Sequence, residues 1–479
     1  MSAGSAQSAG LRSVSPADPT DEIGRFSIAD EGAVGAAVER ARQAFPAWRD
    51  AGLAARAQAL ERFRDAAAAS AGELAELISR EVGKALWDAR GEASLLAPKV
   101  DVTLGDGMQL VAPLEAGPNA RASFQPRGVL AVLGPFNFHA HLPNGHIVPA
   151  LATGNTVIFK PSEIAPAVGE WLAQLWRKAK LPEGVFQVVQ GAGETGHTLA
   201  THSGVDGVLF TGSYAVGRAL KQASLDQPGK LLALEMGGNN AMLVLADSDL
   251  DLAVSEAALS IAATTGQRCS CAGRLFVERT VMDAFADNLV AVLRGLRVGP
   301  PLEDGVFMGP LASQDAYERI AAYRQLSNET DGERLLLVEP ELPPPYVGAG
   351  LMRFSTSAQT HRYQRDEIFG PEASLYPIDD LDEAIAAVND SDYGLVASVM
   401  TRDRSRFEHC VGRIRTGLLN WNKATVGASG KLPFGGGGRS GNDRPAGVTA
   451  TVYCTVPQAH LEGPAEFDPA ALPPGMPRP

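Results

Sequence analysis

The chain has 479 residues and a formal net charge of −13, with 45% hydrophobic and 20% charged residues. A chain of this length exceeds what one hydrophobic core usually holds, so we expect two or three folded domains. The composition is that of a globular protein and excludes a mostly disordered chain. The acidic balance argues against nucleic acid or an anionic membrane as a partner, because binding to phosphate needs clustered Lys and Arg.

The cysteines and the chain ends favour a cytoplasmic protein. The cysteines are too few and too scattered for a disulfide framework: Cys269, Cys271, Cys410 and Cys454. The start of the chain lacks the apolar core of a secretory signal, and no run reaches the roughly 18 apolar residues that a membrane helix needs. We expect residues 1–20 to form a disordered tail and the Pro-rich residues 461–479 to be irregular.

Apolar spacing predicts helices first and a parallel α/β sheet after them. Val34, Val38, Ala41 and Phe45 fall at helical spacing, and the pattern continues beyond Pro46. Short β-branched runs follow, with room for crossover helices between them, at 129–133, 156–159, 185–189, 208–210 and 242–245. We therefore predict a sheet that is covered by helices on both faces, with ligand chemistry at the carboxyl ends of its strands.

Two segments do not fit this alternation and are predicted to be β. One covers roughly residues 105–126, with a turn at 117–119, and the other is TATVYCTV at 449–456. A strand near a chain end is an aggregation liability unless something covers its edge, and a partner subunit is a plausible cover. We expect a homodimer or a dimer of dimers.

Seven segments, taken in chain order, carry a family resemblance. They are GPFNFHAHLPNGH (134–146), GNTVIFKPSE (154–163), FTGSYAVG (210–217), LEMGGNN (234–240), GQRCSC (266–271), EIFGP (367–371) and PFGGGGRSG (433–441). Together they resemble the aldehyde dehydrogenase superfamily, over residues 21–460. Within it, HLPNGH, LEMGGNN, GQRCSC, NWNK (420–423) and GNDRPAG are most similar to the succinylglutamate semialdehyde dehydrogenases of arginine breakdown.

The resemblance implies an α/β fold of three parts. These are a Rossmann-type NAD-binding domain, an α/β catalytic domain and a small β oligomerisation element. We expect the NAD-binding domain at 21–104 and 127–237, the catalytic domain at 238–445, and the oligomerisation element at 105–126 and 446–460. The function implied is oxidation of an aldehyde, N-succinylglutamate 5-semialdehyde in the closer resemblance, to its carboxylate.

Three residues are the catalytic candidates. Oxidation by nicotinamide needs a tetrahedral adduct that can expel hydride, and a cysteine thiolate makes one, so Cys269 of GQRC is the predicted nucleophile. By resemblance, the Asn137 side chain is a donor to the oxyanion of that adduct. Glu235 lies between an apolar run and two glycines, where desolvation raises a carboxyl pKa, and is the predicted base that activates water.

Neighbouring residues have other interpretations. Cys271 lies two residues from Cys269, and such a pair suggests a zinc site. Zinc needs about four ligands, however, and neither a second Cys pair nor a nearby His completes a set, so we predict no metal. Packing is the expected role of Cys271, Cys410 and Cys454. His139 stands where the family commonly has Pro, which alters the local turn or adds a titrating group.

The cofactor candidates come from three motifs. GSYAVG follows a strand and opens a helix whose N–H groups suit a pyrophosphate, and it contains Gly212, Ser213, Tyr214, Ala215, Val216 and Gly217. By resemblance, Lys160 and Glu163 of KPSE, with Ser162 between them, hold the adenosine ribose. A carboxylate there repels a 2′-phosphate, so NAD is expected over NADP. Glu367 and Phe369 resemble the family's contacts to the nicotinamide ribose.

The substrate and the reaction outcome leave alternatives open. A substrate with two carboxylates needs a cation in its pocket, and Arg268, Lys423 and Arg444 are the nearest by motif, although each also fits a surface charge or a structural ion pair. Another semialdehyde or a general aldehyde remains possible. A CoA-acylating relative typically lacks the equivalent of Glu235, and a catalytically silent relative would have lost part of the site, which is complete here.

Overall fold

A computed structural model of the chain describes residues 10–479. The helices are α1 (Glu31–Asp50), α2 (Gly52–Ala69), α3 (Ala71–Val82), α4 (Leu86–Ser94), α5 (Leu96–Val102), α6 (His141–Ala152), α7 (Pro166–Lys178), α8 (Gly193–Thr201), α9 (Tyr214–Ala223), α10 (Leu250–Ala262), α11 (Met282–Gly295), α12 (Gln314–Leu326), α13 (Arg362–Arg365), α14 (Leu381–Asn389), α15 (Arg404–Cys410) and α16 (Ala450–Tyr453).

The strands of the same residues are β1 (Leu11–Val14), β2 (Glu22–Phe26), β3 (Leu114–Gly117), β4 (Ala120–Pro126), β5 (Val129–Leu133), β6 (Thr156–Lys160), β7 (Phe186–Val188), β8 (Gly207–Thr211), β9 (Leu231–Glu235), β10 (Asn240–Val244), β11 (Ala272–Glu278), β12 (Glu333–Leu337), β13 (Gly350–Arg353), β14 (Glu372–Ile378), β15 (Tyr393–Gly394), β16 (Val396–Met400), β17 (Leu418–Trp421), β18 (Pro433–Phe434), β19 (Gly437–Gly438), β20 (Ala446–Gly447) and β21 (Thr455–Leu461).

The first large sheet has the strand order β7-β6-β5-β8-β9, and all of its neighbouring strands are parallel. Its central strands are buried along their whole length, as the continuous apolar runs predicted. Val34, Val38 and Ala41 of α1 pack against one face of this sheet. The order along the sheet reverses between β5 and β8, and ligands of such sheets bind at that point, beyond the strands' carboxyl ends.

The second large sheet has the order β12-β13-β14-β11-β10-β16-β17, with all pairs parallel except β12 and β13. The chain passes from the first sheet to the second through residues 236–239, between the carboxyl end of β9 and the amino end of β10. The predicted boundary at 237/238 falls in this segment. The carboxyl end of β9 in the first sheet therefore lies close to the amino end of β10 in the second.

A small antiparallel sheet, in the order β21-β4-β3, stands apart from both. Here the sequence prediction needs two corrections. Residues 103–107 form one π-helical turn, so strand structure starts only at Leu114. Ala450–Tyr453 is a short helix rather than a strand, because Tyr453 is held by a hydrogen bond with the buried His146, and tertiary contacts of this kind override a weak β-propensity.

The start of the described chain is ordered, so the predicted disordered tail is wrong for residues 10–20. There β1 pairs with β2, and the Ser13 hydroxyl donates a hydrogen bond of 2.7 Å to the buried Glu81 carboxylate. Residues 1–9 lie outside the described part of the chain. At the other end, residues 462–479 are irregular apart from one 3-10 turn at Pro469–Ala471. No helix in residues 10–479 is long and apolar enough to span a membrane.

Candidate active site

A cavity of about 160 Å³ is lined by all three catalytic candidates. Asn137 reaches it from the loop after β5, Glu235 from the carboxyl end of β9, and Cys269 from the segment that precedes β11. The three come from two sheets and are far apart in sequence, so the cavity exists only in the folded chain.

Cys269 lies on a backbone segment with unusual geometry. Thr264 and Thr265, just before it, both have positive φ angles, of 53° and 54°, which β-branched residues rarely adopt. The Asn240 amide fixes the far side of the segment by donating to the backbone oxygens of Cys269, at 2.7 Å, and Cys271, at 2.8 Å. The thiol is half-buried, and burial, followed by the nearby Glu367 carboxylate, raises its pKa above the usual range. The resting group is therefore a thiol that needs a base.

Asn137 is 5% exposed, and its side chain is tied to the segment that carries the cysteine. One amide N–H donates to the backbone oxygen of Gln267 at 2.8 Å. A side-chain amide has two N–H groups, so this bond orients the amide and leaves one donor for the cavity. A donor fixed before reaction is what a developing oxyanion requires.

Glu235 is 4% exposed and ends β9. Burial raises its pKa well above the ordinary value, an effect only partly offset by the nearby backbone N–H of Ala446. Its Oε2 has no hydrogen-bond partner within residues 10–479. Glu235 also lines a second cavity, and Arg444 is another of the residues that line it. A weakly solvated carboxylate of raised pKa is suited to take a proton from water or a thiol near neutral pH.

The three cations predicted for the substrate lie in different places. Arg268 lines the Cys269 cavity, but its guanidinium pairs with Asp88 at 2.7 Å and donates to the Thr264 hydroxyl at 2.8 Å. Its charge is thus already compensated. Lys423 is exposed and is absent from the lining of this cavity, and Arg444 is exposed and lines the second cavity. The structure does not bring Lys423 and Arg444 to Cys269.

The adenosine-site candidates gather at the carboxyl edge of the first sheet. Lys160 ends β6, and its ammonium lies 3.3 Å from the Glu163 carboxylate. Ser162 accepts a hydrogen bond from Ile164 N–H at 3.3 Å, and Ser213 caps α9 by accepting from Val216 N–H. A Cβ on Gly217 would lie 2.4 Å from Met236 Sδ, so glycine permits close packing of α9.

The start of α9 has the features of a site for a pyrophosphate. Gly212, Tyr214, Ala215 and Val216 bracket the Ser213 cap, directly after β8. Helix N-termini present unpaired N–H groups to anions, and α9 starts at the edge where the strand order reverses. The residues present therefore fit a dinucleotide.

Glu367 and Phe369 lie close to the catalytic loop. The Glu367 carboxylate accepts a hydrogen bond of 2.9 Å from Gly238 N–H, and burial raises its pKa to about 7. A Cβ on Gly237 would lie 1.9 Å from this carboxylate, which explains a glycine there. Phe369 meets Phe136, next to Asn137, edge to face at 5.9 Å.

Sequence reasoning missed several lining residues, above all Lys99, His141 and His146. Lys99 belongs to a helical segment without a motif, so no local signal marked it. The two histidines stand in HAHLPNGH, and the second bonds to the Tyr453 hydroxyl at 2.7 Å across 307 positions. Contacts of that span are not visible in a single sequence.

The remaining candidates are buried and do not line the Cys269 cavity. His139 is 1% exposed, and burial lowers its pKa to about 4, so it is neutral near pH 7. Cys271, Cys410 and Cys454 are buried free thiols. Within residues 10–479, no group of three His, Cys, Asp or Glu side chains is arranged to hold a metal ion.

The chain matches the model of the aldehyde dehydrogenase family over residues 3–459. It is 40% identical to an N-succinylglutamate 5-semialdehyde dehydrogenase of Serratia proteamaculans, over 96% of this chain and 95% of that relative. A Vibrio cholerae protein of the same name is 41% identical, over 92% of each chain. The crystal structure of an NAD-dependent aldehyde dehydrogenase from Sinorhizobium meliloti superposes with a TM-score of 0.91 at 30% identity, covering 98% of this chain and 94% of that one.

These matches extend over nearly the whole chain, and they agree with the cavity and the dinucleotide edge described above. The chain belongs to the aldehyde dehydrogenase family and is an oxidoreductase that uses a nicotinamide dinucleotide, NAD or NADP.

Proposed function

We propose that the chain oxidises N-succinyl-L-glutamate 5-semialdehyde to N-succinyl-L-glutamate with NAD, in arginine catabolism, through a thioester on Cys269. The observation that carries the chemistry is the single cavity lined by Cys269, Glu235 and Asn137. The substrate follows from the relatives at 40% and 41% identity, which bear that name.

The first step is addition of sulfur to the aldehyde. Glu235 accepts the thiol proton, and the Cys269 sulfur forms a bond to the carbonyl carbon, which gives a thiohemiacetal oxyanion. The free N–H of Asn137 donates to that oxygen. Because the Asn137 amide is already oriented by Gln267, little reorganisation is needed when the charge develops.

The second step is collapse of the adduct. NAD, when bound, accepts the hydride that leaves the former aldehyde carbon, and a thioester on Cys269 remains. Lys160, Ser162 and Glu163 would hold the adenosine ribose, residues 212–217 the pyrophosphate, and Glu367 and Phe369 the nicotinamide ribose.

The third step is hydrolysis. Glu235 first releases the thiol proton to solvent and then removes a proton from a water molecule whose oxygen forms a bond to the thioester carbon. The carbon–sulfur bond breaks, the Cys269 sulfur takes that proton from Glu235, and the acid product ionises by releasing its own proton to solvent. A pKa raised by burial gives Glu235 the basicity that this step needs.

NAD is proposed over NADP because of Glu163. Its carboxylate is half-exposed and adjoins Lys160, at the position expected for the adenosine ribose. A 2′-phosphate there would meet a like charge, whereas a free hydroxyl donates to it.

We also propose that the chain forms a homodimer or a dimer of dimers through its small sheet. The two outer strands of this sheet carry exposed apolar side chains, with Leu114 61% and Leu461 86% exposed. Apolar edge strands are usually covered, and a second copy would cover them.

Steady-state kinetics with a panel of aldehydes tests the substrate. Formation of NADH is measured with N-succinylglutamate semialdehyde, succinate semialdehyde, glutamate semialdehyde and propanal, each with NAD and with NADP. We expect the highest kcat/KM for the first, with NAD. A preference for neutral aldehydes would refute the substrate and leave the family assignment intact.

A further inference from the structure

We propose that the ammonium of Lys99 binds a carboxylate of the substrate remote from the aldehyde, and that it makes the Cys269 cavity selective for acidic aldehydes. The identity of the acid rests on the function proposed above. The anion site itself rests on the contacts of Lys99.

Lys99 is buried inside the cavity wall. The residue lies on α5, is 5% exposed, and lines the same cavity as Cys269. Its Nζ donates to the backbone oxygen of Gly447 at 2.7 Å, and this is the one hydrogen bond that Nζ makes within residues 10–479. An ammonium has three N–H donors, so two are left for a ligand.

The charge of Lys99 is uncompensated. In the described part of the chain, no carboxylate lies within 4.0 Å of its Nζ. Among the residues lining the cavity, Glu235 is the one carboxylate, and Arg268 is already paired with Asp88. Burial lowers the pKa of Lys99 to about 8, which still leaves it mostly protonated at pH 7. A buried, unpaired cation is costly, and an entering anion would offset that cost.

His141 is a second group that points to a ligand on this wall. It begins α6, lines the cavity, and its buried Nδ1 has no hydrogen-bond partner within residues 10–479. Burial lowers its pKa to about 4, so the ring is neutral and carries a single N–H. The wall thus combines a cation with an uncharged polar group, in a chain whose net charge is −13.

The strand β20 links this site to the base. The backbone N–H of Ala446 lies near the Glu235 carboxylate, and the next residue, Gly447, accepts a hydrogen bond from Lys99. Neighbouring Cα atoms lie about 3.8 Å apart, so the ammonium and the base are close to the same short backbone segment, and all four residues line the one cavity. The α-carboxylate of N-succinylglutamate semialdehyde lies a few bonds from its aldehyde carbon, which is compatible with this spacing.

Two substitutions separate charge from packing. Lys99→Met removes the ammonium and keeps an unbranched apolar stem, whereas Lys99→Gln also keeps an N–H donor for Gly447. Lys178→Met, at the exposed end of α7, is the matched control for loss of one cation. Each variant is first compared with the wild type by thermal unfolding and by titration with NAD.

The kinetic readout is KM for N-succinylglutamate semialdehyde and for propanal. We expect both Lys99 variants to raise KM for the dianionic aldehyde about tenfold or more, the effect of losing a charged hydrogen bond. For propanal, kcat and KM of both variants should stay within about twofold of the wild-type values, which is a small change beside the tenfold effect expected for the dianion. If Lys99→Met lost activity equally with both aldehydes and Lys99→Gln kept wild-type activity, the role of Lys99 would be structural and the proposal would be overturned. An unchanged KM for the dianionic aldehyde in both variants would also overturn it.

A competition experiment tests the anion site at Lys99 whichever aldehyde the enzyme prefers. Inhibition of propanal oxidation by the product N-succinylglutamate is measured in the wild type and in Lys99→Gln. Inhibition weakened about tenfold in the variant supports the anion site even if the wild type prefers another aldehyde, in which case only the proposed function fails. Absence of inhibition in the wild type, or equal inhibition in both proteins, overturns the anion site.

Discussion

At the scale of single residues, Cys269 forms the covalent bond to the substrate whereas Glu235 moves protons, and that separates their variants. We expect Cys269→Ala to abolish NADH formation, because no other group in the cavity can form the thioester. The change removes one sulfur atom from a half-buried site, so folding and NAD binding should persist. Kinetics and a fluorescence titration with NAD check both points, and appreciable turnover would disprove the role of Cys269.

Glu235→Gln should instead separate hydride transfer from hydrolysis. The amide cannot accept a proton, so steady turnover is expected to fall by about two orders of magnitude or more. Hydride leaves before water attacks, so rapid mixing should still show at most one equivalent of NADH per active site. This NADH should form more slowly than in the wild type, because the amide does not take the Cys269 thiol proton either. Unchanged steady turnover would rule out Glu235 as the base.

At the scale of elements, the buried Glu81 at the end of α3 connects two parts of the fold. Its carboxylate accepts from Ser13 of β1 and from the N–H groups of Ala167 and Val168 at the start of α7. Burial nevertheless raises its pKa to about 7. The folded chain therefore holds this proton more tightly than the unfolded chain, and the associated stability is present below pH 4.5 and lost as pH rises through 7.

Glu81→Gln mimics the protonated group and should respond to pH accordingly. The amide has fewer acceptor sites, which lowers stability by an amount independent of pH. From pH 5 to pH 8, however, the free energy of unfolding of the variant should rise relative to that of the wild type by on the order of 2 kcal/mol. Urea unfolding of both proteins at the two pH values measures this shift. Glu39→Gln, an exposed change on α1, serves as the control, and parallel curves for Glu81→Gln would contradict the prediction.

The elements also show what the sequence could predict. The strands β5, β6 and β8 are local, continuous apolar runs buried on both faces, so they were predicted correctly. The catalytic candidates stand in short motifs, so the sequence alone could name them. Ordered β1 and helical α16 were missed because they depend on partners far away in sequence, Glu81 for Ser13 and His146 for Tyr453. Lys99 was missed for the same reason, since Gly447 lies 348 positions away.

At the scale of the whole molecule, the small sheet is the feature that a single chain does not explain. Its outer strands expose Leu114, Val456 and Leu461. We expect light scattering at micromolar concentration to give two or four times the 50.2 kDa of one chain. Leu114→Lys combined with Leu461→Lys should shift the mass towards one chain, because a desolvated charge opposes association. A monomeric wild type would contradict the proposal.

The position of β20 has a consequence for which aldehydes fit. The adjacent residues Ala446 and Gly447 lie beside Glu235 and Lys99, so covalent geometry limits how far the acid group of a substrate can lie from its reacting carbon. Selection by molecular length should follow. Within a series of ω-aldehyde acids, kcat/KM should pass through a maximum at one chain length, and shorter or longer members should lose the benefit of the ammonium without any steric clash.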